Sequence, residues 1–138
     1  MREVYDTRFF IEYFCASDEK LLAKIKESLR RTIDRYISAI TLHEVHKFIL
    51  AREGRKSAES RSEILKRDFK VVKVDADLAV QSAELRHKYR IPMADSIIAA
   101  TACKLRALVV TDDEHFKLVE ETRVKWFRPL TYGAGKGI

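Results

Sequence analysis

Four short stretches of the chain put a carboxylate where a hydrolytic centre could use one. Asp6-Thr7 follows the brief apolar run Val4-Tyr5, and Thr41 precedes Glu44 by three positions. Asp95 comes three residues after Pro92, and Thr111-Asp112-Asp113 closes the apolar run Ala107-Leu108-Val109-Val110. Carboxylates brought together are costly, because like charges raise one another's pKa or push the fold apart. A hard divalent cation relieves that cost. Magnesium takes oxygen ligands and keeps several waters while held by a few carboxylates and a substrate phosphate. An ion so held lowers the pKa of a water, aligns it with phosphorus and neutralises charge on the phosphate oxygens. No serine, cysteine or histidine nucleophile is then needed. Each acid also has a purely structural use. Thr41-x-x-Glu44 and Thr111-x-x-Glu114 fit capping boxes, Asp95 in a first turn complements the helix dipole, and Asp6 could cap a helix.

The elements that must position these acids are read from apolar spacing. Val4-Tyr5 predicts a short strand, and Leu22, Ile25, Leu29 and Ile33 a helix. Tyr36 to Ile40 predicts a second strand, and Leu42, Val45 and Ile49 a helix ending near Gly54. A charged helix follows over about Lys56 to Arg67, then a third strand, Val71 to Val74, and a helix carrying Leu78, Leu85 and Tyr89. Pro92 breaks that helix and opens the next, Met93 to Leu105, whose Ile98, Ala99 and Ala102 suit close packing. Ala107 to Thr111 is a fourth strand and Val124 to Phe127 a fifth. Strands alternating with helices predict right-handed crossovers and an α/β fold, a parallel sheet covered on both faces. In such sheets ligands bind beyond the carboxyl ends of the strands, where Asp6, Glu44, Asp95 and one or both of Asp112 and Asp113 would converge.

The length of 138 residues is that of one domain. With 46% apolar and 35% charged residues the chain is globular rather than disordered. No stretch approaches the ~20 uncharged apolar residues of a membrane span. The opening Met1 to Asp6 lacks the apolar core of a signal peptide, so a secreted or membrane protein is not expected. Lysine and arginine number 27 against 21 aspartates and glutamates, a net charge of +6. That excess fits a polyanionic partner and equally a well-solvated surface. Cys15 and Cys103 stand far apart, which argues against zinc or a disulfide framework and for a reducing cytoplasm. Asparagine is absent and Gln81 is the one glutamine, a poverty in heat-labile amides that points to a thermophilic source.

With these residues in hand, the sequence resembles the PIN domain, and within it the VapC-type toxin ribonucleases. The resemblance runs from Val4 to about Phe127 and is most specific from Val74 to Phe116. That stretch contains Val74-Asp75, Ala83-Glu84-Leu85-Arg86, Ile91-Pro92-Met93-Ala94-Asp95-Ser96, and Leu108-Val109-Val110-Thr111-Asp112-Asp113-Glu114-His115-Phe116. Tyr5-Asp6-Thr7 and Ile40-Thr41-Leu42-His43-Glu44-Val45 stand in the expected order before it. The resemblance implies a three-layer α/β/α fold with a central, mainly parallel, five-stranded sheet over residues 1–128, followed by a glycine-containing tail, 129–138, expected to be mobile. It implies hydrolysis of RNA phosphodiesters with Mg2+ or Mn2+. By position Asp6, Asp95 and Asp113 would be metal ligands, and Glu44 would complete the catalytic acids through a water. Thr7 and Thr111 would orient carboxylates or water. Asp113 matches the family's Thr-x-Asp position, with its neighbour Asp112 as the substitute. The segment Cys103-Lys104-Leu105-Arg106-Ala107 lacks a glycine often found before the fourth strand, which implies a small change of turn.

Three other patterns carry less. His43-Glu44-Val45-His46 resembles a zinc protease motif, but its histidines are three apart where that motif needs four. Asp75-Ala76-Asp77 resembles a phosphatase nucleophile motif in the wrong place, and Asp75 fits a helix cap better. Gly133-Ala134-Gly135-Lys136-Gly137 has no helix to follow it and is no phosphate loop. Arg8, Arg86, Lys88 and Arg90 are candidates for a basic rim that holds the RNA backbone. Trp126 and Phe127 are assigned to the core. Phe9, Phe10, Ile11, Tyr13 and Phe14 form an apolar patch that is either core or a face for a second copy or an antitoxin. The expectation is therefore a cytoplasmic endoribonuclease toxin, a homodimer with an antitoxin partner and no membrane association. A stand-alone PIN nuclease in RNA processing and a non-catalytic binding module are the alternatives.

Overall fold

The computed structural model describes residues 1–32 and 34–128; Ile33 and the glycine-containing tail named above lie outside the described residues. Five strands alternate with six helices: β1 (Glu3–Tyr5), α1 (Thr7–Cys15), α2 (Glu19–Arg31), β2 (Arg35–Ser38), α3 (Ala39–Glu53), α4 (Arg55–Asp68), β3 (Lys70–Val72), α5 (Ala76–Tyr89), α6 (Met93–Leu105), β4 (Leu108–Thr111) and β5 (Arg123–Trp126). A short 3-10 turn, Glu114–Leu118, joins the last two strands. The sheet order is β3-β2-β1-β4-β5 and every pairing is parallel. Among the described residues no helix is long and apolar enough to cross a membrane.

Alternation along the strands divides the core in two. Val4 and Val109 face one layer, where they join Leu78 and Leu85 of α5 and Ile98 and Ala102 of α6. Tyr5 and Val110 face the other, where they meet Phe9 and Phe10 of α1, Ile25 of α2, Ile49 of α3 and Leu65 of α4. The architecture is thus three layers, α/β/α. The aromatic patch of α1 divides accordingly: Phe9 and Phe10 are fully buried, while Ile11, Tyr13 and Phe14 are half-buried around them. Tyr5, Phe9, Phe10 and Phe69 pack edge-to-face at 4.8 to 5.3 Å between ring centroids, the arrangement the ring quadrupoles favour.

Several boundaries differ from the sequence expectation, each for a local reason. The second strand stops at Ser38, whose side chain accepts from the Ile40 N–H and starts α3 there, so Ala39 and Ile40 are helical. Thr41 is then inside the helix, with its buried hydroxyl facing no partner among the described residues, and the Thr41-x-x-Glu44 capping box does not form. Nor does a box form at Thr111-x-x-Glu114, because Asp113 caps the 3-10 turn instead. The third strand ends at Val72, short of Val74. Trp126 is 37% exposed and is not core, whereas Phe127 is buried against Phe9. Gly54 ends α3 as expected, with φ +95°. At the glycine-free turn before β4, Arg106 itself adopts the left-handed conformation (φ 53°). There the Ala107 N–H returns to Ala102 and the Arg106 N–H to Cys103, a Schellman closure of α6.

Candidate active site

The two central strands, β1 and β4, end side by side, and their carboxyl ends carry Asp6 and Thr111-Asp112-Asp113. Asp6 is the N-cap of α1. Its Oδ1 accepts from the Thr7 N–H at 2.7 Å, and its Oδ2 accepts from the Thr111 hydroxyl at 2.6 Å. Thr111 Oγ1 in turn accepts from the Asp113 N–H at 2.9 Å, so one hydroxyl fixes both acids. Glu44 approaches from α3, one turn past Ile40, and its Oε1 accepts from the Thr7 hydroxyl at 2.6 Å. Asp95 comes from the first turn of α6, the helix opened by Pro92. These four acids line a single cavity of about 570 Å³ at the carboxyl edge of the sheet. Its walls add Thr7, Arg8 and Lys47, and apolar side chains including Ile11, Phe48 and Met93.

Asp112, the alternative to Asp113, is not part of this wall. It is buried, and its carboxylate accepts from Arg8 and from Arg128 Nε at 2.7 Å, while Arg128 also reaches Glu12 at 3.1 Å. The strand's alternation sends Asp112 to the side opposite Thr111. Its contribution to the cavity is indirect, through the hold on Arg8. Of the proposed basic rim only Arg8 lines the cavity; Lys88 pairs with Glu121 at 3.1 Å, and Arg86 and Arg90 lie elsewhere. Lys47, three residues beyond Glu44 on the same helical face, supplies the second cation instead. Its signal in the sequence was that spacing. The two histidines of the discarded protease motif part company: His43 lines the cavity, whereas His46 Nδ1 meets Ser62 Oγ at 2.6 Å.

The electrostatics are those of crowded acids. Burial raises the Asp6 pKa to about 7, with Asp95 and Asp113 adding to the shift against the Thr111 and Thr7 hydrogen bonds. Burial likewise raises Asp95 to about 6, helped by Asp113 and Glu44 and opposed by His115. His115 is a residue to which the sequence reading gave no role of its own. Its Nδ1 lies 2.9 Å from Asp95 Oδ2 and 3.0 Å from Asp113 Oδ1. Burial works to lower the His115 pKa, but the two carboxylates outweigh it and the net shift is upward. One donor atom from each of Asp95, Asp113 and His115 falls within 4.8 Å of the other two. Oxygen-rich donors whose ionisation is opposed by their own crowding are the set a hard divalent cation fits.

The PIN domain family profile matches residues 4–121. Among solved structures, VapBC from Salmonella typhimurium bound to DNA superposes with a TM-score of 0.80 at 19% identity, over 93% of this chain and 99% of that chain. A toxin–antitoxin complex from Klebsiella pneumoniae gives 0.70 at 25% identity, over 87% and 94%. VapC20 of Mycobacterium tuberculosis, described as a Sarcin-Ricin loop cleaving toxin, gives 0.64 at 24% identity, over 76% and 84%. No curated protein sequence matches significantly.

Proposed function

The chain belongs to the PIN domain family, and on that premise we propose that it is a metal-dependent endoribonuclease, the toxin of a type II VapBC toxin–antitoxin pair. The observation that carries the reading is the meeting of Asp6, Glu44, Asp95 and Asp113 around one cavity, from four separate elements. The structural likeness to toxin–antitoxin complexes supports the toxin role and an antitoxin partner.

Asp6, Asp95 and Asp113 would hold Mg2+ or Mn2+, which when bound supplies an activated water and neutralises phosphate charge. The remaining work belongs to the chain's own side chains. Thr111 and the Thr7 N–H fix both oxygens of Asp6, so the carboxylate cannot swing. Glu44, with Oε1 held by Thr7, keeps Oε2 to orient the attacking water and take its proton. Arg8 and Lys47 on the cavity wall would grip the phosphates that flank the scissile bond. In-line displacement at phosphorus would leave a 5′-phosphate and a 3′-hydroxyl. The enzyme would act in the cytoplasm as a homodimer.

The test is cleavage of single-stranded RNA in Mn2+ by the wild type, Asp6→Asn and Asp95→Asn. Each substitution is expected to lower turnover by about a hundredfold or more, as loss of an electrostatic stabiliser does, with RNA affinity changed far less. Undiminished cleavage by either variant refutes the assignment. Co-purification with the product of the adjoining gene, and suppression of cleavage by it, tests the toxin role.

A further inference from the structure

We propose that His115 supplies a nitrogen donor to the cation site beside Asp95 and Asp113, tilting that site from Mg2+ toward Mn2+ and the later first-row ions. The proposal rests on the reading of the acidic cavity as a metal site and adds to it a ligand of different chemistry.

The argument begins with the turn that carries the histidine. Asp113 caps the 3-10 turn by accepting the His115 N–H at 2.9 Å. That bond folds the imidazole back over the same carboxylate. Nδ1 then stands almost equally far from two oxygens on different elements, 2.9 Å from Asp95 on α6 and 3.0 Å from Asp113 at the end of β4. Donors in adjacent positions of an octahedron with bonds of about 2.1 Å stand about 3 Å apart. Two of the three separations are therefore those of neighbouring ligands around one ion, and all three donor atoms fall within 4.8 Å of one another. The ring's side chain is 45% exposed, so packing does not hold it there; the two carboxylates do. It does not line the cavity itself, and reaches Asp95 and Asp113 from the cavity's edge. In the metal-free chain Nδ1 carries the hydrogen that bonds Asp95 and faces Asp113. A bound cation displaces that proton, and the neutral imidazole, with its hydrogen on Nε2, then presents the Nδ1 lone pair to the same point. Magnesium takes oxygen donors, whereas an imidazole nitrogen suits transition-metal ions.

The experiment uses metal binding rather than activity. Mn2+ is titrated into the full chain, and the bound ion is examined by electron spin-echo spectroscopy for coupling to a nitrogen-14 nucleus. The wild type is expected to show a directly bound nitrogen. His115→Ala should lose it, while His43→Ala, which alters the other histidine at the cavity, should keep it. His115→Ala should also weaken Mn2+ by at least about tenfold, the cost seen when even an outer partner of a ligand is removed, and Mg2+ by much less. Bound Mn2+ without nitrogen coupling in the wild type overturns the proposal and leaves His115 as a holder of carboxylates. Failure of the wild type to bind Mn2+ at all overturns the proposal together with the metal-site reading beneath it. The wild-type spectrum decides the matter even if a variant folds poorly.

Discussion

At the scale of single residues, the metal-free site is an acid trap whose sign can be worked out. Asp6 is raised from 3.8 to about 7 and Asp95 from 3.8 to about 6. An acid whose folded pKa lies above its unfolded value binds more protons folded than unfolded between the two. Stability must then fall as pH rises across that interval. For these two groups the window runs from about pH 4 to pH 7, and the loss for Asp6, which is fully buried, is on the order of a few kcal/mol. Without divalent metal, the melting temperature is expected to decline over this window. Asp6→Asn, which mimics the protonated form, should flatten the decline; thermal melts of both proteins in chelator at pH 4 to 8 check it. An identical slope in both would show that Asp6 carries no strained charge. Asp6 and Asp113 were legible because each follows a strand, Asp95 because it opens a helix, and Glu44 because it lies one turn into the helix after the second strand. His115 was not, since its role depends on a 3-10 turn, and Lys47 showed only its spacing from Glu44, since the sequence does not say which face of α3 meets the cavity. The choice between Asp112 and Asp113 was decidable in principle by strand alternation, which puts Asp113 on the side of Thr111.

At the scale of elements, order and type were readable from apolar spacing except for α1 and the 3-10 turn, and the ends were not. Strand β2 runs into α3 with no intervening loop, because Ser38 ends one and caps the other. No apolar periodicity marks such a junction; the one signal is a small hydroxyl residue. Two turns show the backbone deciding matters in opposite directions. Gly54 joins α3 to α4 at φ +95° and ψ 178°, a conformation nearly closed to residues with a Cβ. A Cβ there would meet nothing within 4 Å. Gly54→Ala should therefore destabilise the protein by about 1–3 kcal/mol through backbone strain alone. Arg106 holds the left-handed closing position of α6 without being glycine. Arg106→Gly should relieve that strain and stabilise by up to about 1 kcal/mol. Urea unfolding of the two variants checks both, and a stable Gly54→Ala protein would mean that the α3–α4 turn can re-form in another conformation.

At the scale of the whole molecule, the acid cavity is held by both cores at once. Asp6 sits between Tyr5 of one apolar cluster and the helix carrying Phe9 and Phe10 of the same cluster; Asp95 belongs to α6, whose Ile98 and Ala99 lie in the other. Bringing the acids together thus requires both layers to be docked on the sheet. The assembled pocket exists only in the folded chain, and a cation that binds it must stabilise folding as a whole. Binding to the folded state adds RT ln(1 + [L]/Kd), about 2.7 kcal/mol at a hundredfold excess over Kd. For a domain of this size that corresponds to a rise of several degrees in melting temperature. The rise should grow between pH 5 and pH 7, because protons compete for Asp6 and Asp95 across that range. It should nearly vanish in Asp95→Asn, which keeps the shape of the side chain but removes a ligand charge from the layer opposite Asp6. Differential scanning calorimetry with Mn2+ and with chelator measures all three. A melting temperature indifferent to millimolar Mn2+ at pH 7 would mean that the four acids share their cavity without a cation, and the nuclease reading would fall with it.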